Sequence, residues 1–306
     1  MENNSVYIIS GPTAVGKTQI AIALAKLIDG EIVNCDSVQL YKSLDIGSAK
    51  PSAEEMASCP HHLFSLVDPD YNMTVATYKK LATATINDIL KRGKTPIVVG
   101  GTGLYLNSIM FDMDFAGKID DGTRRKELEE MAEKMGSQYM HTYLSGIDPE
   151  SAERIHPNNL RKVIRAIEAF ELGDGIKDLK DCKPNTDYTF IFIALNMDRE
   201  RLYDRINRRV DVLIQKGLCE EVKQLMDRGY NLDNPSMRSI GYKELVDYYN
   251  GECTLEEAVE DIKKDSRHYA KRQITCLKRY DNCKWIYIKE GDTTVDVLKK
   301  IVDAYL

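Results

Sequence analysis

The sequence predicts an α/β protein with a P-loop NTPase-like parallel sheet core flanked by helices, plus a small all-helical insertion domain. Three observations predict it. Short β-branched runs alternate with helix-like stretches over the first hundred residues, the signature of a parallel sheet. A glycine-rich loop, Gly11-Pro-Thr-Ala-Val-Gly-Lys-Thr, follows the first of those runs. From about 116 to 185 the chain turns polar and helical in pattern, with no convincing strand until Tyr188.

Val6–Ser10 reads as a buried strand, and Gln19–Ile28 as a helix that Gly30 stops. Glu31–Cys35 is a second strand ending at Asp36, Thr74–Arg92 a helix, and Thr95–Val99 a third strand running into Gly100-Gly-Thr-Gly. The insertion holds helical patterns at Arg124–Met135 and Leu160–Leu172. Tyr188–Leu195 returns to a buried strand, helices follow around 199–216, 218–228, 241–249 and 255–280, and Trp285–Ile288 with a final helix closes the chain. The expected domains are therefore a first part of the core at 1–115, an insertion at 116–185 and completion of the core over 186–306. In an open parallel sheet, ligands sit beyond the carboxyl ends of the strands. The loop 11–18, Asp36 and Thr102 all fall at such ends, so they should face one crevice.

Composition narrows the class. Hydrophobic residues make up 43% of the 306 positions and charged residues 29%, as in ordinary globular proteins. No apolar run approaches the ~20 residues needed to cross a bilayer, so no membrane is expected. Met1–Ser5 lacks the basic residues of a signal peptide. The seven cysteines are scattered without a C-x-x-C pair, which argues against a disulfide framework or zinc module and for a reducing cytoplasm. A net charge of −6 excludes indiscriminate coating of nucleic acid. Two basic clusters stand out nonetheless: Arg199, Arg201, Arg205, Arg208 and Arg209, and then Lys263, Lys264, Arg267, Lys271, Arg272, Lys278 and Arg279. A local basic surface on an acidic protein suits one selected polyanion; either run alone also reads as a solvated helix face.

Gly11, Pro12, Thr13, Ala14, Val15, Gly16, Lys17 and Thr18 match G-x-x-x-x-G-K-[ST] in full, between a strand and a helix as the motif requires. Its glycines let backbone N–H groups converge on phosphate oxygens, and the helix N-terminus adds its dipole. Lys17 supplies a mobile charge and the Thr18 hydroxyl can ligate Mg²⁺. The motif specifies phosphate binding but not which phosphate. Asp36, at a strand end beside this loop, could hold Mg²⁺, act as general base on an acceptor, or simply cap the next turn. Cys59-Pro-His-His has the residue types of a metal site, but adjacent histidines rarely reach one ion, so these read as structural.

Taken together the motifs resemble the tRNA dimethylallyltransferase (isopentenyltransferase) family. The matching stretches are the loop itself, Asp36-Ser-Val-Gln-Leu-Tyr, Asp45-Ile-Gly-Ser-Ala-Lys-Pro, His61-His-Leu, Val98-Val-Gly-Gly-Thr-Gly-Leu-Tyr, Arg154-Ile-His-Pro-Asn and Arg165-Ala-Ile-Glu. Leu202-Tyr-Asp-Arg-Ile-Asn-Arg-Arg-Val-Asp, Ser239-Ile-Gly-Tyr-Lys-Glu and Tyr269-Ala-Lys-Arg-Gln-Ile-Thr continue them in order to about residue 275. The chain departs from the pattern at Ser48, Arg238 and Cys276-Leu, where Thr, Gln and an aromatic are common.

The resemblance implies transfer of a dimethylallyl group from dimethylallyl diphosphate to the exocyclic amine of the adenosine just 3′ of the anticodon in tRNA, with the base flipped into a channel. It implies Asp36 as general base, and Lys17, Thr18 and Arg209 as the groups that serve Mg²⁺ and the departing diphosphate. Asp36, Ser37, Val38, Gln39, Thr102, Arg125, Arg161, Arg165, Arg238 and Lys243 match tRNA-contacting positions, and the insertion would reach the anticodon stem-loop. A bacterial or organellar form acting as a monomer is expected. Three alternatives remain at this stage: a P-loop small-molecule kinase, a related transferase that prenylates free adenine nucleotides, and a nucleotide-binding regulator without catalysis.

Overall fold

The computed structural model describes residues 4–113, 123–171 and 179–305. In chain order the elements are β1 (Ser5–Ser10), α1 (Lys17–Ile28), β2 (Gly30–Asn34), α2 (Ala53–Ala57), β3 (His61–His62), α3 (Val75–Lys91), β4 (Thr95–Val99) and α4 (Gly103–Met110). Then come α5 (Thr123–Ile147), α6 (Pro149–Arg154), α7 (Leu160–Glu171), β5 (Thr189–Met197), α8 (Arg199–Gln215) and α9 (Leu218–Asp227). The chain closes with α10 (Lys243–Tyr249), α11 (Leu255–Leu277), β6 (Lys284–Ile288) and α12 (Thr294–Tyr305).

The chain divides into two units, one of residues up to Met110 and from Asn185 onward, the other Phe111–Pro184. In the first, all six strands are parallel in the order β3-β2-β4-β1-β5-β6. Parallel strands need both faces covered, which explains why β1 and β2 are buried without alternation. On one face Ile9, Ile32, Ile97 and Leu195 meet Ile20 and Leu24 of α1 and Ile301 of α12. Tyr78, Ile86 and Ile89 of α3 are likewise fully buried. A separate cluster joins Leu218, Val222, Tyr242, Leu245 and Ile262 across α9, α10 and α11.

The sheet center is drawn tight at its carboxyl end. Ser10 Oγ donates to the Gly100 carbonyl at 2.7 Å, and the Gly100 amide to Ile9 at 3.3 Å. A Cβ on Gly100 would lie 2.1 Å from the Cys35 carbonyl oxygen, so only glycine lets β1, β2 and β4 end this close together.

The second unit is helical. Leu128, Met140, Leu144, Val163 and Ile167 form its core. The first helix of α5 ends at Met135 as expected: Gly136, with φ 82°, breaks the helical backbone, and a second helix follows to Ile147. The expected boundary at 116 and helix end at Leu172 lie outside the described residues. Among the described residues no helix is long and apolar enough to cross a membrane.

The short elements α2, β3 and α6 were not anticipated. Helix α2 is started by a capping box, with Ser52 Oγ accepting from the Glu55 amide and Glu55 returning to the Ser52 amide. Strand β3 is the His61–His62 pair: His62 Nε2 lies 2.7 Å from Glu31 Oε2, and His61 Nδ1 lies 2.8 Å from the Cys59 carbonyl. Glu31 also receives the Arg92 guanidinium on both oxygens. These histidines secure the sheet edge, and no three metal-ligating side chains cluster among the described residues.

Candidate active site

Four chain segments converge at the carboxyl end of the sheet in the first unit: the loop after β1, Asp36 after β2, the glycine turn after β4, and α8 after β5.

The loop folds as its glycines dictate. Gly11 has φ 144°, and a Cβ there would meet the Leu195 carbonyl oxygen at 2.5 Å. Gly16, with φ 106°, precedes Lys17 at the start of α1 and provides no side-chain cap. The first amides of α1 therefore remain available as donors to an anion. Lys17 turns back on the loop, its Nζ donating to the Gly11 and Pro12 carbonyls, each at 2.9 Å. Burial pulls Lys17 down to about 8, with Asp36 opposing that shift and Arg209 adding to it. Burial also lowers Arg209, again against the pull of Asp36. Asp36 is thus the carboxylate whose charge acts on both expected diphosphate cations. Thr18, the second residue of α1, is half-buried.

Asp36 also caps its own turn: Oδ1 accepts from the Val38 amide at 2.9 Å. The structural and chemical roles weighed from the sequence are compatible, because one oxygen serves the turn and the other is left for chemistry. Ser37's amide donates to Thr102 Oγ1 at 3.1 Å, which ties the Asp36 turn to the glycine turn. Gln39 is held by its own amide nitrogen, which donates to the Ser48 and Ala49 carbonyls at 3.0 and 3.2 Å. That 45–49 segment is in turn pinned by Glu221 of α9, which accepts from the amides of Asp45, Ile46 and Gly47 and from the Tyr242 hydroxyl.

The remaining expected residues are placed as follows. Arg238 is exposed, and its Nε donates to the Leu232 carbonyl at 2.5 Å. Lys243 pairs with Asp265 at 2.6 Å and with Glu244 at 3.4 Å; the Asp265 hydrogen bond raises its pKa. Arg125, Arg161 and Arg165 are exposed on the second unit, where Arg125 and Arg165 share the buried carboxylate of Glu168. Glu168's ionised form resists burial only through these two arginines, and the net shift is downward.

Two residues to which the sequence reading gave no site role contact the loops of the site. Arg205, one turn before Arg209 on α8, donates from Nε to the Ala14 carbonyl at 3.0 Å. Gln273 of α11 accepts from the Thr13 amide at 2.8 Å and donates to the Gly101 carbonyl at 3.1 Å. Arg205 had a signal, the i, i+4 spacing to Arg209. Gln273 had its place in the matching stretch Tyr269-Ala-Lys-Arg-Gln-Ile-Thr, as an uncharged polar residue inside a basic run. That run exposes Lys271 and Arg272 on α11 and Lys278 and Arg279 just past its end.

The sequence matches two family models, "IPP transferase" over residues 39–280 and "Isopentenyl transferase" over residues 4–66. A protein of Alkaliphilus oremlandii named tRNA dimethylallyltransferase is 47% identical over 302 residues, covering 98% of this chain and 96% of that one. The crystal structure of a full-length tRNA isopentenylpyrophosphate transferase from Bacillus halodurans superimposes with a TM-score of 0.74 at 42% identity, covering 99% of this chain and 96% of the other. A eukaryotic dimethylallyltransferase, captured crystallographically acting on tRNA, gives a TM-score of 0.78 at 29% identity over 94% of this chain and 75% of its own.

Proposed function

This chain belongs to the tRNA dimethylallyltransferase family and is a tRNA prenyltransferase; we propose that it moves the dimethylallyl group of dimethylallyl diphosphate onto N6 of the adenosine 3′ of the anticodon. The observation that carries this reading is the position of Asp36, one carboxylate within the field of both Lys17 and Arg209 at the mouth of a phosphate loop. The exocyclic amine of adenine is a poor nucleophile because its lone pair is delocalised into the ring. It attacks only if a base takes its proton and the allylic leaving group departs easily.

The residues meet both needs. The amine forms a bond to C1 of the allyl chain as the C1–O bond breaks, the electron pair leaving with diphosphate and the amine proton passing to Asp36. Charge growing on the diphosphate is met by Lys17, Arg209 and the first amides of α1, donors fixed before the reaction begins. Lys17 can exchange the Gly11 and Pro12 carbonyls for phosphate oxygens. Thr18 Oγ1 would be the protein ligand of Mg²⁺, an ion that takes its other ligands from phosphate oxygens and water. Such an ion would neutralise part of the diphosphate charge.

Recognition of the tRNA draws on different groups. Lys271 and Arg272 on α11, with Lys278 and Arg279 just past its end, offer phosphate contacts, and Arg125, Arg161 and Arg165 do so on the second unit. Ser37, Val38, Gln39, Thr102, Arg238 and Lys243 are assigned to the flipped base and its neighbours. The protein is assigned to the cytoplasm, acting as a monomer.

The test is direct. Labeled dimethylallyl diphosphate and Mg²⁺ are supplied with tRNA or with AMP, and γ-labeled ATP in a third reaction. Label on tRNA alone is expected. Label on AMP but not tRNA would overturn the tRNA reading, and γ-phosphate transfer would overturn prenyl transfer as well.

A further inference from the structure

We propose that Gln273 is a positioning residue that sets the gap between the leaving diphosphate and the attacking amine; this rests on the function proposed above. Its amide has one acceptor and one donor end, and each is spent on a different loop of the site. Oε1 accepts from the amide of Thr13 in the phosphate loop at 2.8 Å, and Nε2 donates to the carbonyl of Gly101 at 3.1 Å. Gly101 precedes Thr102, whose Oγ1 holds the amide of Ser37, next to Asp36. One side chain thus joins the donor side, at Thr13, to the acceptor side, at Gly101.

The surroundings are built for this amide. Gln273 is only 5% exposed, so both bonds form away from competing water and losing either would leave a buried group unsatisfied. A Cβ on Gly101 would lie 2.1 Å from Nε2, so the glycine turn is shaped to admit the amide. Its neighbour on the same helical face, Tyr269, lies beside the Thr102 side chain. A backbone N–H must be accepted and a backbone C=O donated to within one side chain's reach, which an amide does and neither a carboxylate nor an apolar chain can.

The consequence is kinetic. Group transfer needs the amine and C1 held about 3–3.5 Å apart in line, and a displacement near 1 Å can cost about 10²-fold in rate. Removing the Gln273 bonds frees the two loops to separate without removing the charges of Asp36, Lys17 or Arg209.

The experiment uses the full chain with Gln273→Met, of similar length but making neither bond, and Gln273→Glu, which keeps the acceptor and loses the donor. Single-turnover transfer at saturating dimethylallyl diphosphate and tRNA is measured beside the Kd of each substrate. Gln273→Met is expected to transfer about 30–100-fold more slowly with both Kd values within about threefold of the parent. Gln273→Glu is expected to be slow at neutral pH and to gain on the parent as pH falls, since a protonated carboxyl donates to Gly101 again. A Met variant at the parent rate, a loss explained by weaker diphosphate binding alone, or a Glu variant that does not recover in acid would overturn the positioning role. Absence of transfer to tRNA by the unsubstituted protein would instead overturn the function on which it rests.

Discussion

Arg205 and Ala14 meet through a single hydrogen bond, Nε to carbonyl at 3.0 Å, that fastens α8 to the crown of the phosphate loop. Ala14 has φ 63°, a left-handed conformation that a residue with a Cβ adopts only at a cost of about 1–2 kcal/mol. The bond helps keep it there. Because Arg209 follows one turn later on the same helix, the bond also sets how far Arg209 stands from the loop.

Replacing Arg205 with alanine should therefore loosen the cradle without removing a charge that touches the reacting atoms. The expected result is about tenfold weaker binding of inorganic diphosphate by calorimetry, as losing one hydrogen bond from a charged donor implies. The thermal midpoint should change by less than about 3 °C.

Lys17 provides a pH dependence. Burial holds it at about 8, well below an ordinary lysine. As pH rises through that value the charge is lost, so diphosphate affinity should fall between about pH 7 and 9. Diphosphate favors the charged form, so binding near pH 8 should take up protons, seen as a buffer-dependent calorimetric heat. Lys17→Met should abolish that lysine-dependent uptake, leaving only the titration of diphosphate itself.

Glu31 provides a separate test of the sheet edge. The Arg92 hydrogen bonds, opposed by burial and helped by His62, hold its carboxyl down to about 2. A carboxylate with a depressed folded-state pKa stabilises above its unfolded value near 4.3 and loses that contribution as pH falls toward 2. Glu31→Gln should cost about 2 kcal/mol at pH 7 and flatten the fall in stability between about pH 4.5 and 2, followed by denaturant unfolding.

Much of this was legible in the sequence, for identifiable reasons. Strands β1, β2, β4, β5 and β6 are contiguous β-branched and apolar runs, and the phosphate loop is specified by glycines whose positions are sterically required. What lay hidden depends on partners far along the chain. The two-residue strand β3 exists because Glu31 and Arg92 hold His62, and no local pattern of two histidines signals that. Gln273 acquires its role from contacts to Thr13 and Gly101, 260 and 172 positions away. The Ser52–Glu55 capping box and the Asp148 cap with Pro149 behind it were local signals that could have disclosed α2 and α6.

Arg209→Ala addresses the leaving group. Removing one donor aimed at developing charge costs on the order of 10²–10³ in rate, and the expected loss lies in the single-turnover transfer rate. A leaving group that needs less help, such as a fluorinated diphosphate analogue, should recover part of it.

The account turns on Asp36 as the base beside the diphosphate cradle. The most direct measurement is single-turnover transfer to tRNA by Asp36→Asn, with diphosphate affinity measured on the same preparation. The expected outcome is a rate lower by about 10²–10⁴ with diphosphate affinity within about threefold of the parent, since Asn keeps the oxygen that accepts from Val38. A variant that transfers at the parent rate would contradict the account. So would one that loses diphosphate binding in step with activity, which would make Asp36 a ligand of the metal–diphosphate complex and not the base.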